Sequence, residues 1–368
     1  MVTGWPTSEA LPLAGDGSRP LEGDRSGRAR FALAALVVLL VVVAGLSLAT
    51  GAADASLGRV LASLSGSATD PLLLRDRTII LEIRLPRLLL GALVGAGLAT
   101  SGAILQGLFR NPLADPGLVG VSSGAGLAAV LVIVLGGTSL APLLAVAGIY
   151  ALPIAAFAGG LASTFLLYAI ATRRGQTAIA TMLLAGIALG ALAGALTGLL
   201  VYRATDAQLR DLTFWSLGSL AGADWTKVAT AGPIIVTALL AMPFVSRGLN
   251  ALTLGEAAAY HLGVPVERLK TAAIFLVAAA TGAGVAVSGG IGFVGIVVPH
   301  VLRLAVGPDH RFLLPGSALL GASFLIAADA VSRSVAAPAE VPIGIVTAMV
   351  GGPFFLWLLL RRRDALGG

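Results

Sequence analysis

The segment FALAALVVLLVVVAGLSLA, residues 31–49, is nineteen residues long and carries no charge. A helix needs about 20 predominantly apolar residues to cross the ~30 Å hydrocarbon core of a membrane, so this segment predicts a membrane-spanning helix. Ala53-Asp54-Ala55 resembles a signal-peptide cleavage site. The apolar run nevertheless exceeds the ~7–15 residues of a signal sequence, and a retained first span is predicted.

Comparable apolar segments occupy most of the remaining chain. Of the 368 residues, 57% are hydrophobic and only 11% are charged, whereas soluble domains average about 25% charged residues. Nine further apolar segments follow the first, at residues 88–108, 117–135, 143–171, 179–202, 231–246, 271–288, 290–307, 313–333 and 343–360. The predicted fold is therefore an all-α integral membrane protein with about ten transmembrane helices.

The two ends of the chain differ from this apolar middle. Residues 1–27 are rich in glycine, proline, serine and charges of both signs, and such a composition predicts a disordered tail. The ten spans form one transmembrane domain over residues 28–363, and residues 364–368 form a short C-terminal tail.

The distribution of basic residues predicts the orientation of the spans. With a cytoplasmic N-terminus, ten arginines and lysines between and after the spans lie on the cytoplasmic side, as the positive-inside rule requires. The C-terminus is then cytoplasmic as well. These cytoplasmic residues are Arg110, Arg173, Arg174, Arg247, Arg268, Lys270, Arg311, Arg361, Arg362 and Arg363. The net charge of +6 is interpreted as this bias in orientation, and no nucleic-acid partner is expected.

The predicted external segment 51–87 departs from the rule, because it contains Arg59, Arg75, Arg77, Arg84 and Arg87. A longer loop can carry arginines without changing the orientation. Alternatively, these arginines form a docking surface for an acidic partner, since complementary charge guides association. Arg333 lies four residues after Asp329 near the external end of span 9, so pairing within the helix and docking are both open for it.

Two segments of the chain repeat one another. GAGLATSG at 95–102 and GAGVAVSG at 282–289 share six of eight residues. In the predicted topology the first copy runs inward in span 2 and the second runs outward in span 7. Opposite directions predict an inverted internal repeat, an arrangement of transporters in which the repeat interface holds the substrate path.

Span 5 carries a glycine every fourth residue, at Gly186, Gly190, Gly194 and Gly198. Residues four apart share one face of a helix, so these glycines form a bare stripe along span 5. Such a stripe typically packs against another helix at close range. The alternative is that this face lines a wide path.

The chain shows no means of supplying its own energy. Carriers driven by ion gradients bury ionisable groups near the middle of the membrane, and such groups are nearly absent from these spans. The chain contains two lysines, Lys227 and Lys270, and neither follows glycine, so it lacks a phosphate-binding Gly-Lys loop. With no cysteine and three scattered histidines, no metal site is predicted either.

An energy source on another polypeptide needs a point of contact, and the cytoplasmic loop 247–270 offers one. Its segment 254–265, LGEAAAYHLGVP, predicts a short helix between Gly255 and Gly263. This helix is either a handle for a motor protein or a simple amphipathic connector. A stand-alone secondary transporter is the competing class, and an intramembrane enzyme would need a catalytic constellation that the sequence lacks.

Several long motifs, in order, resemble the permease subunits of ABC importers for haem, iron–siderophores and cobalamin. They are IRLPR at 83–87, SGAILQGLFRNPLADPG at 101–117, the 254–265 segment, GFVG at 292–295 with Pro299-His300, and EVPIG at 340–344. The resemblance extends over about residues 31–363. It implies the fold of a type II ABC importer, and a permease rather than an enzyme.

The resemblance also implies partners and a location. Two copies of the chain would form the translocation path in a bacterial cytoplasmic (inner) membrane, in contact with membrane lipid. Two cytoplasmic ATPases would hold ATP and magnesium, so this chain itself binds no cofactor. A periplasmic or extracellular binding protein would deliver the substrate.

The resemblance further implies roles for single residues. Arg84, Arg87 and Arg333 would meet acidic residues of the binding protein. The cytoplasmic gate would comprise Asn111 and Leu113, with Ile179 and Ala180 at the inner start of span 5. The helix that couples the permease to the ATPase would include Leu254, Gly255, Glu256, Ala257, Tyr260, Leu262 and Gly263.

Within this family the chain looks most similar to the haem members. The resemblance is carried by DAQLRDLTFWSLGSL at 206–220 and GGPFFLW at 351–357. Where a cobalamin member has small hydroxyl residues at the gate, this chain has Ile179 and Ala180, and a more apolar wall suits a porphyrin. Haem is therefore the expected substrate, followed by iron–siderophore and then cobalamin.

Overall fold

The computed structural model describes residues 26–50, 55–62, 71–138, 141–173, 176–337 and 339–366. Most of these residues are helical. The helices are α1 (Ser26–Ala49), α2 (Leu57–Ala62), α3 (Pro71–Thr78), α4 (Leu85–Leu108), α5 (Val121–Leu135), α6 (Ala141–Ala147), α7 (Ala151–Ala171), α8 (Ile179–Tyr202), α9 (Asp206–Ser216), α10 (Trp225–Ala241), α11 (Pro243–Leu252), α12 (Glu256–His261), α13 (Val266–Ser288), α14 (Val294–Val306), α15 (His310–Val335) and α16 (Ile343–Leu366). Strands β1 (Thr172–Arg173) and β2 (Gln176–Thr177) pair antiparallel.

Each of the ten predicted spans corresponds to a helix or a helix pair. Among the described residues, six helical segments are long and apolar enough to cross a membrane, and α10 with α11, bent by 48°, makes a seventh if the pair is one span. The shorter apolar helices are α5, α14 and the 343–358 part of α16. The all-α membrane fold predicted from the sequence is confirmed.

The ends of the domain differ slightly from the prediction. Helix α1 already includes Ser26 and Gly27, and α16 continues to Leu366. Residues 1–25 of the predicted tail, and residues 367–368 at the C-terminus, lie outside the described residues.

The second span extends far beyond the predicted 88–108. Helix α3, a π-helical turn at Ile79–Arg84 and α4 form one helical segment of 38 residues, about 57 Å long at 1.5 Å per residue. Pro86 lacks the N–H that would bond the carbonyl of Glu82, and this loss favours the irregular turn. In this turn the N–H of Leu85 donates to the carbonyl of Ile80, and Trp225 donates its indole N–H to the carbonyl of Leu81, at 3.1 Å.

The buried centre of the bundle is formed by α4 and α13, the two copies of the repeat. Helix α4 packs along α15, and α13 packs along α7. Helices α4 and α15 are spans 2 and 9, and α13 and α7 are spans 7 and 4. Each helix is thus paired like its counterpart five spans away, as a repeat of five spans requires. At the α4–α15 crossing, a Cβ on Gly95 would overlap the carbonyl of Gly321, so glycine allows the two backbones to touch.

Two sequence motifs also meet in this centre. A Cβ on Gly102 of α4 would overlap the carbonyl of Gly295 in the GFVG motif. One turn along α4, Gln106 donates its amide to the same carbonyl at 3.0 Å and accepts from Arg303 at 2.9 Å. The two motifs therefore hold α4 against α14.

Helix α9 was not predicted as a separate element. It starts with a capping box, in which Thr205 and Gln208 each bond the backbone of the other. After α9 ends, Gly218 accepts from Ile343 N–H at 3.1 Å, and Ser219 N–H donates to the carbonyl of Ser288 at 2.8 Å. These bonds anchor α9 to the end of α13 and to the EVPIG motif that precedes α16.

Candidate functional site: translocation path and partner surfaces

A cleft of about 420 Å³ opens between α5, α8 and α9. Its wall is mostly small or apolar and includes Ser123, Leu127, Gly190, Gly194, Thr197 and Trp215. None of these six side chains is charged, so the cleft presents shape and weak contacts to anything that enters it. It is the candidate segment of a translocation path.

The glycine stripe of α8 faces open space rather than a neighbouring helix. Neither Gly194 nor Gly198 has any atom of the described chain within 4 Å of where a Cβ would lie. The nearest atom to such a Cβ on Gly190 is the hydroxyl of Ser123, at 3.5 Å. Gly190 and Gly194 line the cleft. Close packing within the described chain, the role first given to this stripe, therefore does not account for Gly194 and Gly198, and a role of these glycines in a path stays a prediction.

The first predicted gate segment follows α4 as a tight loop. Arg110 has a φ of 48°, and Asn111 accepts the N–H of Leu113 at its side-chain oxygen, at 3.0 Å. Asp115 then accepts the N–H of Gly117 at 2.8 Å and starts a 3₁₀ turn at Pro116–Val119. Burial raises the pKa of the Asp115 carboxyl.

The second predicted gate segment lies close to the first. Ile179 is the first residue of α8, where it is partly buried, and Ala180 is exposed. The 3₁₀ turn at 116–119 packs against α8 as well as α5. The first predicted gate segment is therefore followed by a turn that packs against α8, the helix that begins at the second.

The predicted 254–265 helix is present as α12. Gly255 and Gly263 flank it with φ values of 105° and 81°, which glycine adopts without strain. Leu254, Tyr260 and Leu262 are 69%, 71% and 64% exposed. Such an exposed apolar surface around a short helix is typical of an interaction site.

The opposite side of α12 faces the bundle. Ala259 is completely buried, and Glu256 forms a 2.9 Å ion pair with Lys270 of α13. The guanidinium of Arg110, at the end of the gate loop, lies beside Gly255. The helix is thus attached to the rest of the chain on one side only.

The three arginines assigned to docking are largely buried. Arg87 is 7% exposed and donates to both carboxylate oxygens of Asp329, at 2.8–3.1 Å, and of Glu340, at 2.9 Å. Arg333 donates to Asp329 at 3.1 Å, as its spacing allowed. Arg87 and Arg333 thus share Asp329, and Arg87 also binds Glu340.

Two of these arginines also hold the external end of α1. Arg84 donates to the carbonyl of Leu48 at 2.6 Å. Arg333 donates to the hydroxyl of Ser47 at 2.9 Å and to the carbonyl of Thr50 at 3.0 Å. The arginines therefore have a structural role in this chain, whatever else they contact.

Sequence reasoning missed several residues that organise these surfaces. Glu340 was part of a recognised motif but was not paired with Arg87, which lies 253 residues away. Lys270 was counted only among the cytoplasmic basic residues, and the structure shows it to be buried, with 2% of it exposed. At the inner end of α15, Asp309 accepts from Asn250 and Arg311, and these bonds lower its pKa to about 2 despite partial burial.

The family of the chain follows from a match over most of its length. A family model described as the FecCD transport family matches residues 38–361. The chain belongs to the FecCD transport family. The resemblance to permeases of ABC importers seen in the motifs is thereby confirmed, and the chain is a multi-pass membrane permease subunit of that type.

Individual relatives agree with this assignment. The chain is 46% identical over 339 residues to the hemin transport system permease protein HmuU of Yersinia pestis, covering 92% of this chain and 98% of the relative. It is 48% identical over 286 residues to the cobalamin import system permease protein BtuC of Halobacterium salinarum, and the alignment covers 78% of this chain and 74% of the relative.

A solved structure has the same fold. It shows a metal-chelate type ABC transporter described as inward-facing, and it superimposes with a TM-score of 0.77 at 35% sequence identity. The similarity covers 89% of this chain and 98% of that one. The FecCD permease architecture therefore accounts for the whole helical bundle described above.

Proposed function

We propose that two copies of this FecCD permease form the path by which haem, delivered by an external binding protein, is imported at the expense of ATP hydrolysed by two cytoplasmic ATPases. The observation that carries the proposal is the exposed apolar helix α12, which is attached to the bundle on one side and presents Tyr260 and Leu262 on the other. A protein without an energy source of its own needs such a contact.

Haem as the substrate is supported by the path and by similarity. The cleft between α5, α8 and α9 is lined mostly by small or apolar residues, which suits a flat, largely apolar porphyrin. HmuU, whose name gives hemin as its substrate, matches this chain over nearly its full length. No step changes the substrate chemically.

The external arginine cluster supports docking of the binding protein. Arg87 and Arg333 form a cluster with Asp329 and Glu340, and Arg84 contacts the same end of α1 as Arg333, so an acidic surface of the binding protein would meet several arginines in one place. Complementary charge of this kind sets the orientation and rate of association. Docking would then act on a preformed cluster.

The orientation follows from exposed cations at the other end of the bundle. Arg110, Arg173, Arg247, Arg268 and Arg311 are exposed, and all five lie on the side that the positive-inside rule assigns to the cytoplasm. We place the protein in the cytoplasmic (inner) membrane with both termini in the cytoplasm.

Reconstituted transport tests the proposal. The permease and its ATPases are placed in liposomes with the binding protein outside and ATP inside, and uptake of haem, cobalamin and a ferric siderophore is measured with and without vanadate. We expect haem uptake that vanadate abolishes. Uptake that needs an ion gradient but no ATPase would contradict the proposal.

Cobalamin and other metal chelates are the second candidate substrates. The BtuC of Halobacterium salinarum is named for cobalamin and is 48% identical to this chain over the aligned part, and the solved relative is a metal-chelate type transporter. If cobalamin or siderophore is taken up in a vanadate-sensitive way and haem is not, that compound is the substrate. The importer mechanism proposed above would then still hold.

A further inference from the structure

Lys270 lies at the junction of three elements on the inner face of the bundle. It is in the first turns of α13, and its side chain is only 3% exposed. Its ammonium donates to Glu256 of α12 at 2.9 Å, to Glu267 of α13 at 3.0 Å and to the carbonyl of Thr177 in β2 at 3.1 Å. All three protons of the ammonium are thus used.

The contact with β2 is made twice. Besides the bond from Lys270 to its carbonyl, Thr177 donates its N–H to Glu267 at 2.9 Å. Both backbone groups of Thr177 are therefore held by charged side chains, and charge-assisted hydrogen bonds are the stronger ones. Thr177 cannot move relative to α13 without breaking two of them.

Thr177 in turn leads directly to the gate. Ala178 follows it and donates its N–H to the carbonyl of Ala171 at the end of α7, at 3.0 Å. Helix α8 begins at the next residue, Ile179, and Ala180 is exposed there. Only one residue separates the strand held by Lys270 from the predicted gate position.

The start of α13 is itself fixed to α7. Thr271 bonds the carbonyl of Glu267 at 2.9 Å and shares a 2.7 Å hydrogen bond with the hydroxyl of Tyr168. Lys270 and Glu267 therefore project from an anchored turn, whereas Glu256 belongs to the short helix α12, which is attached on one side. A displacement of α12 pulls first on the Glu256–Lys270 pair.

We infer that Lys270 is a positioning residue that transmits movement of α12 to the start of α8, through Glu256 on one side and Thr177 on the other. The inference rests on the proposed function, in which an ATPase moves α12. Lys270 contacts neither the substrate path nor the exposed face of α12. Its role is to make the gate respond to the ATPase.

The absence of cysteine in the chain allows a clean measurement. Ala180→Cys is introduced as the only thiol, and the purified complex is labelled with a water-soluble maleimide in the nucleotide-free state and after trapping with ATP and vanadate. The ratio of the two labelling rates reports the response of the gate. We expect a ratio different from one in this parent.

Substitutions at Lys270 then separate transmission from simple stabilisation. Lys270→Met should bring the ratio to one while the ATPases still copurify and hydrolyse ATP, and Lys270→Arg should largely restore it. Lys227→Met, which removes the other lysine, in α10, should leave the ratio unchanged. An unchanged ratio in Lys270→Met would overturn the inference and leave the proposed function intact.

A second variant covers the case in which Lys270→Met does not fold. Glu256→Ala removes only the link to α12, because Lys270 keeps its bonds to Glu267 and Thr177. The Glu256 side chain is 44% exposed. A reduced ratio supports transmission through Lys270, and an unchanged ratio overturns it. If the parent itself gives a ratio of one, or binds no ATPase, the proposed function fails together with the inference.

Discussion

At the scale of single residues, this membrane protein places its buried charges at the ends of the bundle. Arg87, Asp329, Glu340 and Arg333 form one network at the external end. Charges removed from water are tolerated only when they are paired and hydrogen-bonded. The network also joins the ends of α4 and α15 to the segment before α16, so these charges stabilise the arrangement of helices at this end of the bundle.

Arg87→Met should therefore destabilise the protein. Removing one partner of a buried ion pair typically costs about 3–5 kcal/mol, and here Glu340 would lose its ion pair with Arg87 while Asp329 would keep only Arg333. The matched control is Arg77→Met, an exposed arginine in α3. Thermal unfolding in detergent should show a clear decrease for Arg87→Met and almost none for Arg77→Met. Equal effects would show that the pairs at Arg87 contribute little.

At the scale of elements, the helices use glycine in two opposite ways. In α4, Gly95 and Gly102 allow backbones of α15 and α14 to touch, and a side chain there would overlap a carbonyl. In α8, Gly194 and Gly198 face open space. A pattern of small residues in a membrane helix therefore does not show by itself whether that face packs against a neighbouring helix or borders open space.

Gly194→Leu should block transport without unfolding the protein. A Cβ on Gly194 would meet no atom of the described chain within 4 Å, and Gly194 lines the cleft between α5, α8 and α9, so a leucine there would occupy the cleft. Gly45→Leu in α1 is the matched control, because a Cβ there also meets nothing within 4 Å and Gly45 does not line that cleft. We expect vanadate-sensitive uptake to be lost in the first variant and kept in the second, with unchanged thermal unfolding in both. Full uptake in Gly194→Leu would show that this face of α8 does not line the path.

At the scale of the whole molecule, one chain leaves the path incomplete. Only 6% of the most apolar segment of α8 is buried, compared with 78% for the segment that contains α4. Leu184, Ile187 and Leu199 of α8 are more than 60% exposed. A helix that lines the cleft while presenting so much apolar surface is suited to a second copy across the path, as well as to lipid.

The functional unit should accordingly contain two copies of this chain. Native mass spectrometry of the purified transporter is expected to show a permease contribution of twice 36.7 kDa, in addition to the ATPases. Transport by a complex with a single permease copy would show that the cleft of one chain is sufficient and that the dimeric path is wrong.

The amino-acid sequence by itself determined the class of fold, the approximate spans and the family. Hydropathy is a local sum over about 20 residues, and so it identified a helix or helix pair for each of the ten predicted spans. Gly255 and Gly263 likewise marked the ends of α12, because their φ values of 105° and 81° are a local requirement of the backbone. These properties do not depend on distant parts of the chain.

Only the tertiary structure decided what the charged and small residues do. Arg87 and Asp329 are 242 residues apart, and their pairing depends on how α4 packs along α15. Lys270 was predicted only as a cytoplasmic basic residue, and the structure buries it between α12, α13 and β2. The sequence could not show that Gly194 has no neighbouring atom of the described chain within 4 Å of a Cβ. A local sequence pattern indicates which kind of environment a residue needs. Which residue becomes its hydrogen-bond or ion-pair partner depends on how helices distant in sequence pack together.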